Sequence, residues 1–592
     1  MLFIKINKKV NHLKKIIAVF AILLLIISIF PRCAKIVAPN GGPKDTLAPV
    51  LVRSQPKLNA TKFKENKIIF NFNEFIQLKE IQKKLAISPP MAKRPEFLQR
   101  GKNLEIRFKE PLKDSTTYTI YFADAIVDNN EGNAIKNFVF AFSTGETIDS
   151  LVVTGKIIDA FTLLPVENAF VLLYEKQNDS VPIKELPRYL TRTNRRGIFT
   201  INNIRKNSYK VFALVDNNSN YKFDQISEDI AFTKDTLKGE SLIDPSKVDT
   251  SKNAKLTLDL RMFKENPRLQ AFSGFSRAKR NKLSLAFTKK PEGKVVLNPL
   301  NFKADSSWYI LEKNQQQDSS IYWITDNNVN KIDTLLFELS YLRSDSLEHL
   351  NPKTDTLKMI FVDQEAPKKR KKEKEEKSLK KSSLVVLSSI INAQNVKPNI
   401  NGVFTFPIPL KKIEKDSITF MNLKDSSIIK GIELLKDTIN PRIYRYHYNW
   451  QPDIQYSLQM LPGAFTALNG LKNDSININF KGANPDNYGI LNVNLLNSTT
   501  NVIVQLCNEK KTEVIDYRIS KNGEKVTFSF IDPGKYSIRL IEDKNANGVW
   551  DTGWYLKGIQ PEKVYHYTEG KTKGVLNIRA NWENDITFDF SK

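Results

Sequence analysis

The sequence has few of the residues that define several common classes of protein. Its 592 residues include only two cysteines, Cys33 and Cys507, so an exported form has no disulfide framework and must hold each domain by core burial. Glycine (23) and proline (27) occur at ordinary levels, which excludes a collagen-like or wholly disordered chain. Cys507 lies in the apolar run 502–507, where we expect a buried strand residue.

The sequence also lacks the residue patterns that are typical of catalytic sites. There are four histidines, and His349, His447 and His566 are far apart, with no H-x-x-x-H pair. No G-x-S-x-G elbow, P-loop or G-x-G-x-x-G loop occurs. Acidic residues are too numerous for a pair of catalytic carboxylates to be selected from the sequence alone. We therefore predict that the protein is not an enzyme and name no catalytic residue.

The charge balance is strongly basic, with a net charge of +26. Such a balance favours nucleic acid, an anionic membrane surface or anionic glycans as partners. The lysines are scattered among strand-like runs, and neither an RNA-binding nor a helix-turn-helix pattern appears. We expect no nucleic-acid partner, and a generally solvated basic surface is the simplest interpretation.

The N-terminal segment has the pattern of an export signal. Five lysines within residues 5–15 precede the apolar run Ile16–Phe30, and Cys33 follows closely. This run of fifteen residues, polar only at Ser28, is shorter than the roughly 20 residues that a membrane span needs. The segment resembles a bacterial lipoprotein signal peptide over residues 1–32, which implies lipidation at Cys33 and attachment to the membrane through this lipid. An uncleaved anchor helix is the alternative, and either places the rest of the chain outside the cytoplasm.

Residues 45–145 show the clearest β pattern. Four runs alternate apolar and polar residues with a period of two, which puts their apolar side chains on one face of a strand. These apolar sets are Ile68, Phe70 and Phe72; Leu104, Ile106 and Phe108; Tyr118, Ile120 and Phe122; and Phe138, Phe140 and Phe142. Turn sequences such as Arg100-Gly101-Lys102-Asn103 separate the runs. About seven strands in 100 residues fit one immunoglobulin-like sandwich.

The order of these pieces, from "KIIFNFNEFIQL" to "FVFAFSTG", resembles the SbsA-type bacterial Ig-like domain. The preceding "NGGPKDTLAPVLVRSQP" resembles the opening of Gram-negative cell-envelope lipoproteins that carry this domain. The resemblance is specific over residues 33–145, and we expect the Ig-like domain to span residues 33–149. It implies a cell-envelope protein that is anchored in the outer membrane and faces either the periplasm or the exterior.

A second block, residues 150–259, resembles the transthyretin-like, carboxypeptidase-regulatory-like β-sandwich. The positions that match its pattern are Gly155, Pro165, Gly197, Phe199 and Tyr209. Leu163 takes the place of the usual turn glycine.

Internal repeats divide the rest of the chain. A shift of 327 residues aligns Tyr209 with Tyr536 and Asp216 with Asp543, which makes 483–592 a second copy of the transthyretin-like sandwich. A shift of 338 aligns Tyr118 with Tyr456, so residues 384–482 resemble a degenerate Ig-like domain. We expect a central β domain at 260–365 and a charged, solvated linker at 366–383. The predicted fold class is all-β, with tandem Ig-like and transthyretin-like sandwiches behind the N-terminal segment.

Two acidic loops are the only site-like features. In the C-terminal loop, oxygen ligands recur at the spacing of a calcium loop, and Gly548 occupies the position of its sharp turn. These candidate ligands are Asp543, Asn545, Asn547, Asp551 and the backbone carbonyl of Val549. The matching loop offers Asp216, Asn218, Asn220 and Asp224, with Tyr221 in place of the glycine. Neither loop has the bidentate glutamate at position 12, so the alternative is a hairpin whose side chains bond its own backbone.

The function predicted from these features is a non-enzymatic scaffold of the cell envelope that interacts with envelope proteins or glycans. A glycan-binding surface protein is the alternative, because exposed tryptophans stack on sugars. The candidates are Trp308, Trp323, Trp450, Trp550, Trp554 and Trp582. A hydrolase would instead need two carboxylates about 5–10 Å apart in a cleft.

Overall fold

The alternating runs of the sequence form short β-strands throughout the described chain. The computed structural model describes residues 45–225, 227–245, 258–303, 305, 307–362, 383–389, 395–398, 400–568 and 574–591. Within these ranges the chain forms 42 strands, three one-turn α-helices and four 3₁₀ turns. The helices are α1 (Ile81–Lys84), α2 (Val181–Lys184) and α3 (Asn327–Lys331). None of the described helices is long and apolar enough to span a bilayer.

We group the strands into five modules by the sheets they share. The first module, residues 45–149, contains sheets of order β1-β2-β6-β5, β4-β7-β9 and β3-β8. Its strands are β1 (Leu51–Gln55), β2 (Lys67–Phe72), β3 (Ile76–Leu78), β4 (Ala86–Ser88), β5 (Glu96–Arg100), β6 (Asn103–Arg107), β7 (Thr117–Ala123), β8 (Ile126–Asp128) and β9 (Phe138–Ser143). The predicted apolar faces meet in its core, where the Phe70 ring lies 4.8 Å from Phe140 and 5.7 Å from Phe122.

The second module, residues 150–264, is a seven-stranded sheet of order β12-β11-β14-β15-β16-β10-β13. Its strands are β10 (Leu151–Asp159), β11 (Phe170–Tyr174), β12 (Tyr189–Arg192), β13 (Ile198–Ile204), β14 (Lys210–Val215), β15 (Asp229–Phe232) and β16 (Leu258–Lys264). The predicted boundary between residues 259 and 260 falls inside β16 and is wrong, because β16 pairs with β10 in parallel and with β15. The other domain boundaries stay predictions.

The third module, residues 265–362, pairs β17-β18-β21-β20 and β19-β22-β23. Its strands are β17 (Phe272–Lys279), β18 (Lys282–Phe287), β19 (Val296–Pro299), β20 (Tyr309–Lys313), β21 (Ser319–Ile324), β22 (Thr334–Ser344) and β23 (Leu350–Ile360). The predicted linker at 366–383 lies almost wholly outside the described residues, as do the N-terminal signal and Cys33.

The fourth module, residues 383–482, has sheets β24-β26-β31-β30, β25-β34-β32-β28-β29 and β27-β33. Its strands are β24 (Leu387–Ser388), β25 (Asn395–Val396), β26 (Gly402–Thr405), β27 (Leu410–Ile413), β28 (Ile418–Asn422), β29 (Ser427–Ile429), β30 (Leu435–Lys436), β31 (Ile443–Tyr446), β32 (Gln455–Met460), β33 (Phe465–Ala467) and β34 (Ile476–Gly482). Trp450, 1% exposed, is the largest fully buried side chain of its core.

The fifth module, residues 483–591, packs sheet β38-β35-β42 on sheet β37-β36-β39-β40, and β41 also pairs with β39. Its strands are β35 (Gly489–Leu496), β36 (Asn501–Asn508), β37 (Val514–Ser520), β38 (Val526–Ile531), β39 (Gly534–Asp543), β40 (Val564–His566), β41 (Leu576–Ile578) and β42 (Glu583–Asp589). Its first and last strands, β35 and β42, run parallel, as β10 and β16 do in the second module. The chain is thus an all-β protein of tandem β-sandwich modules.

The cysteine of the fifth module has the predicted environment. Cys507 lies on β36 and is fully buried. Burial raises the pKa of its thiol, which leaves it protonated and unreactive at neutral pH.

Candidate functional site

The C-terminal acidic loop begins where strand β39 ends, at Asp543. The Asp543 carboxylate is buried and accepts hydrogen bonds from the backbone N–H groups of Asn547 (3.1 Å) and Gly548 (2.9 Å). Gly548 has φ +77°, a left-handed conformation that glycine adopts without steric cost. The glycine at this position therefore has a conformational reason that does not involve a ligand.

The remaining predicted ligands of this loop bond to one another. The amide nitrogens of Asn545 and Asn547 both donate to Asp551 Oδ2, at 2.6 and 2.8 Å. Their amide oxygens accept from backbone N–H groups, Asn545 from Asn547 at 3.2 Å and Asn547 from Val549 at 2.9 Å. The loop is thus a hydrogen-bonded Asx hairpin in this structure.

The matching loop in the second module has the same construction. The Asp216 carboxylate accepts from the backbone N–H groups of Ser219 (2.5 Å) and Tyr221 (2.7 Å). The amides of Asn218 and Asn220 donate to the two oxygens of Asp224, at 3.0 and 2.6 Å. The structure therefore brings together all four predicted residues of this loop.

The backbone conformation of the two loops also agrees. Ser219 and Tyr221 have φ of 60° and 62°, and Ala546 and Gly548, 327 residues later, have φ of 59° and 77°. Tyr221 thus adopts the left-handed conformation in place of a glycine, which costs about 1–2 kcal/mol. Its ring packs edge-on against Phe170 at 4.9 Å, and this contact offsets part of that cost.

A buried glutamate behind each loop was missed by the sequence reasoning. Glu562 accepts from the backbone N–H groups of Lys544 (2.7 Å) and Asp551 (3.0 Å), so it joins the two ends of the C-terminal loop. Glu228 is fully buried and accepts from the N–H groups of Asp224 and Gln225, both at 3.1 Å. Burial raises the pKa of both carboxyl groups, and the backbone donors oppose that rise.

Sequence signals for these glutamates differ between the copies. Glu228 lies one residue beyond position 12 of its loop, where a search allowing one extra residue would find it. Glu562 follows Asp551 by eleven residues, and no fixed spacing points to it. Among the residues that the structure describes, no group of three or more His, Cys, Asp or Glu side chains is arranged to hold a metal ion. Calcium at either loop stays a prediction.

The C-terminal loop also forms the junction between the second and fifth modules. The Trp550 ring lies 5.1 Å from Phe161, and the indole N–H donates to the Glu562 carbonyl at 3.0 Å. Tyr555, on the 3₁₀ turn Tyr555–Lys557, is 4% exposed and enters an aromatic cluster of the second module. Its ring lies 5.3 Å from Phe232 and 5.5 Å from Phe212.

Polar contacts complete this junction. The Tyr555 N–H donates at 2.6 Å to Oε1 of Glu265, the first residue of the third module, and the Tyr555 hydroxyl donates to the Asp179 carbonyl of the second. Gln560 donates to the Phe232 carbonyl at 2.8 Å, and His566 Nε2 to the Thr162 carbonyl at 3.3 Å. Burial, with Lys511 and Arg539 nearby, lowers the pKa of His566 to about 4. The chain therefore folds back, so that its last module lies against its second.

Two hollows in the described part of the chain do not have the form of a substrate pocket. One of about 30 Å³ lies between the first and second modules, among Ile81, Met91, Arg94 and Tyr221. It holds about one water molecule, whereas ligand pockets span about 300–1,000 Å³. Another, of about 450 Å³, is lined only by the consecutive residues 51–58 and lies open along one strand.

One family comparison agrees with the architecture of the first module. Residues 45–144 match the family described as "Bacterial Ig-like domain", so the first module belongs to this class of β-sandwich. No curated protein matches the chain.

Several solved structures align with the chain at low similarity. Domains 1–6 of the surface layer protein SbsC are 10% identical, with 88% of this chain and 67% of that one covered and a TM-score of 0.14. The Bacteroides ovatus mixed-linkage glucan utilization protein SGBP-B is 6% identical, covering 69% and 87%, with a TM-score of 0.16. The MG0-NIE-MG1 part of Escherichia coli alpha-2-macroglobulin is 10% identical, covering 33% and 96%, with a TM-score of 0.15. At these scores the likenesses carry no argument about function.

Proposed function

We propose that this protein is a non-enzymatic scaffold of the cell envelope, held at the outer membrane by a lipid on Cys33. The observation that carries the proposal is the succession of a lysine-rich start, the apolar run Ile16–Phe30 and Cys33, followed by tandem β-sandwich modules. Partners are envelope proteins or glycans that meet the loops and edges of these modules.

The contacts between modules support a scaffold role. The first and second modules share backbone-to-hydroxyl bonds, from Leu190 N–H to Ser88 (3.2 Å) and from Asn202 N–H to Tyr121 (2.9 Å). Arg442 of the fourth module binds Glu312 of the third through two bonds, at 2.6 and 2.8 Å. Together with the junction at Tyr555, these contacts favour a folded-back assembly of fixed shape over modules that move independently of one another.

The buried carboxylates of the acidic loops support a non-catalytic role. Glu228 and Glu562 are satisfied by backbone N–H groups, so their burial has a structural purpose. Each closes its own loop, and neither lines either of the two hollows described above. The acidic loops then act as rigid connectors between strands, and the C-terminal one also docks the fifth module.

Glycan binding, the alternative, needs exposed rings in a row. Trp308, Trp323 and Trp450 are buried, and Trp550 and Trp554 are partly buried at the module junction. Trp582, 58% exposed with Arg579 over its ring at 5.1 Å, is the one tryptophan of the six that offers a free face. This arrangement favours the scaffold over a glycan-binding platform.

The experiment is fractionation of cells that express the full chain or its Cys33→Ala variant. We expect the parent in the outer-membrane fraction, and the variant in a soluble extracytoplasmic fraction or as an unprocessed precursor. Ser28→Ala, in the same segment, is the matched control and should fractionate like the parent. Identical fractionation of Cys33→Ala and the parent, with identical processing, would contradict the proposed anchor.

A further inference from the structure

Strand β37 forms an edge of the fifth module with an apolar outer face. It pairs with β36 alone among the described strands. Ile515, Tyr517 and Ile519 are each exposed along it, Tyr517 by 56%. A β-bulge at Ile515 interrupts the pairing with β36 between Val514 and Asp516, so the regular part of the edge runs from Asp516 to Ser520. An edge strand with exposed apolar side chains is a place where another strand can add to the sheet.

The peptide groups of Tyr517 point away from β36. Its N–H donates to Asp516 Oδ1 at 2.8 Å, and its carbonyl accepts from Arg518 Nη1 at 2.8 Å. These side chains also bond each other, at 2.6 Å. In a single copy the two charged side chains therefore occupy the donor and the acceptor that an added strand would use.

We propose that β37 is the pairing edge of a symmetric dimer, in which a second copy of this chain adds antiparallel to it about a two-fold axis through Tyr517. Antiparallel pairing about this residue places Tyr517 opposite itself, with both outward peptide groups exchanged between the copies. It also places Asp516 opposite Arg518, twice, and brings the bulged Ile515 of each copy close to Ile519 of the other. Each charge then meets its opposite across the strands, and the two apolar pairs lie on the same outer face.

A second copy fits this edge better than an unrelated strand because the charge pattern is its own complement. The segment Ile515–Ile519 has the same order of residue types in both directions: apolar, charged, aromatic, charged, apolar. Only the signs of the two charges exchange when the segment is read backwards. An isologous interface needs this self-complementarity. The patch also continues an existing apolar interface, since Ile519 lies opposite Ile503, which packs with Phe161 and Leu163 of the second module.

The association should be weak. Only the seven residues of β37 align on each side, less than the 20–30 residues a side of a standard interface. Detection therefore needs a readout that captures a transient contact, and covalent trapping on the two-fold axis provides one. Because Tyr517 faces itself in the proposed register, a cysteine there would meet its counterpart within disulfide distance.

The experiment compares disulfide trapping of the full chain carrying Tyr517→Cys with the parent chain. The matched control is Ile428→Cys, an equally exposed residue on β29, an edge strand of the fourth module. Under mild oxidation we expect Tyr517→Cys to form a covalent dimer at least tenfold faster than the control, and the parent to form none through Cys507, which is buried. Peptide mapping must place the bond between two copies of residue 517.

Charge reversal tests the register. In the Tyr517→Cys chain, Asp516→Arg alone places like charges opposite each other twice and should slow trapping at least tenfold. Adding Arg518→Asp restores opposite charges and should restore the rate, with melting temperatures showing that all variants fold. Trapping no faster than the Ile428→Cys control, trapping indifferent to these charges, or a bond from residue 517 to a different protein would each overturn the proposal.

Discussion

Replacing Tyr555 with alanine should detach the fifth module from the second while leaving both folded. Tyr555 is 4% exposed, and its ring meets Phe212, Phe223 and Phe232 at 5.3–6.2 Å between ring centres. Truncating a buried aromatic side chain to alanine costs about 3–5 kcal/mol. Because the Tyr555 backbone bond to Glu265 survives the change, we take the lower part of this range, about 3–4 kcal/mol.

That loss corresponds to a fall of about two to three powers of ten in the equilibrium constant for docking, at about 1.4 kcal/mol per tenfold. Hydrogen exchange of the full chain, followed by mass spectrometry, measures it on both sides of the junction. Amides of residues 554–562 in the fifth module and 178–184 in the second, where Asp179 and Val181 contact Tyr555, should exchange faster by this factor. Strands in the core of each module, such as β36 and β11, should keep their protection.

Two variants serve as controls for this experiment. Tyr555→Phe removes only the hydroxyl that donates to the Asp179 carbonyl, so its effect should be about 0.5–1.5 kcal/mol. Trp582→Ala removes an exposed aromatic side chain of the same module, away from the junction, and should leave the exchange of both segments unchanged. Acceleration below tenfold in both segments of Tyr555→Ala would refute the docking described here.

Three other predictions concern the acidic loop, the linker and the junction histidine. A calcium ion that binds only the folded chain would stabilise it by about 2.7 kcal/mol at a hundredfold excess over the dissociation constant. We therefore expect ~10 mM Ca²⁺, but not Mg²⁺, to raise the melting temperature of the parent, and Asp543→Ala to lose this shift. An unchanged melting temperature of the parent would mean that the loop is only a hydrogen-bonded hairpin. Native trypsin digestion should cut within residues 368–381 and leave two stable β-rich fragments, whereas resistance there or collapse into small peptides would contradict the linker. The pKa of His566 is lowered to about 4 in the docked chain and returns to its ordinary value of about 6.5 when the fifth module is released. The contribution of His566 to docking is therefore fully present above about pH 6.5 and is lost as the pH falls toward 4. Hydrogen exchange at the junction should rise over this pH range in the parent and stay constant in His566→Gln.

The strand content could be predicted from the sequence because period-two alternation specifies a strand with one buried face. Ile68, Phe70 and Phe72 are all buried on one face of β2 for this reason. The acidic loops were also predictable, since Asx side chains at fixed spacing bond nearby backbone groups wherever the chain turns.

The junction and the two loop-closing glutamates could not be predicted in the same way. Tyr555 lies outside any periodic run, and its partners Phe212 and Phe232 are more than 300 residues away in the chain. Glu562 closes its loop from a distance of eleven residues, through contacts that exist only after β40 has paired with β39. Such contacts depend on tertiary packing, which leaves no local pattern. The boundary inside β16 was misplaced for the same reason, because the parallel partner of β16 lies about 100 residues earlier in β10.

Mass spectrometry of the mature N-terminus in the outer-membrane fraction tests the proposed function most directly. An envelope scaffold anchored at Cys33 predicts that the chain begins at this residue and carries the added mass of covalently attached acyl chains. The matching peptide from Cys33→Ala should lack that mass. An N-terminus well downstream of residue 33 without lipid, or an intact N-terminal segment with an unmodified Cys33, would contradict the proposal.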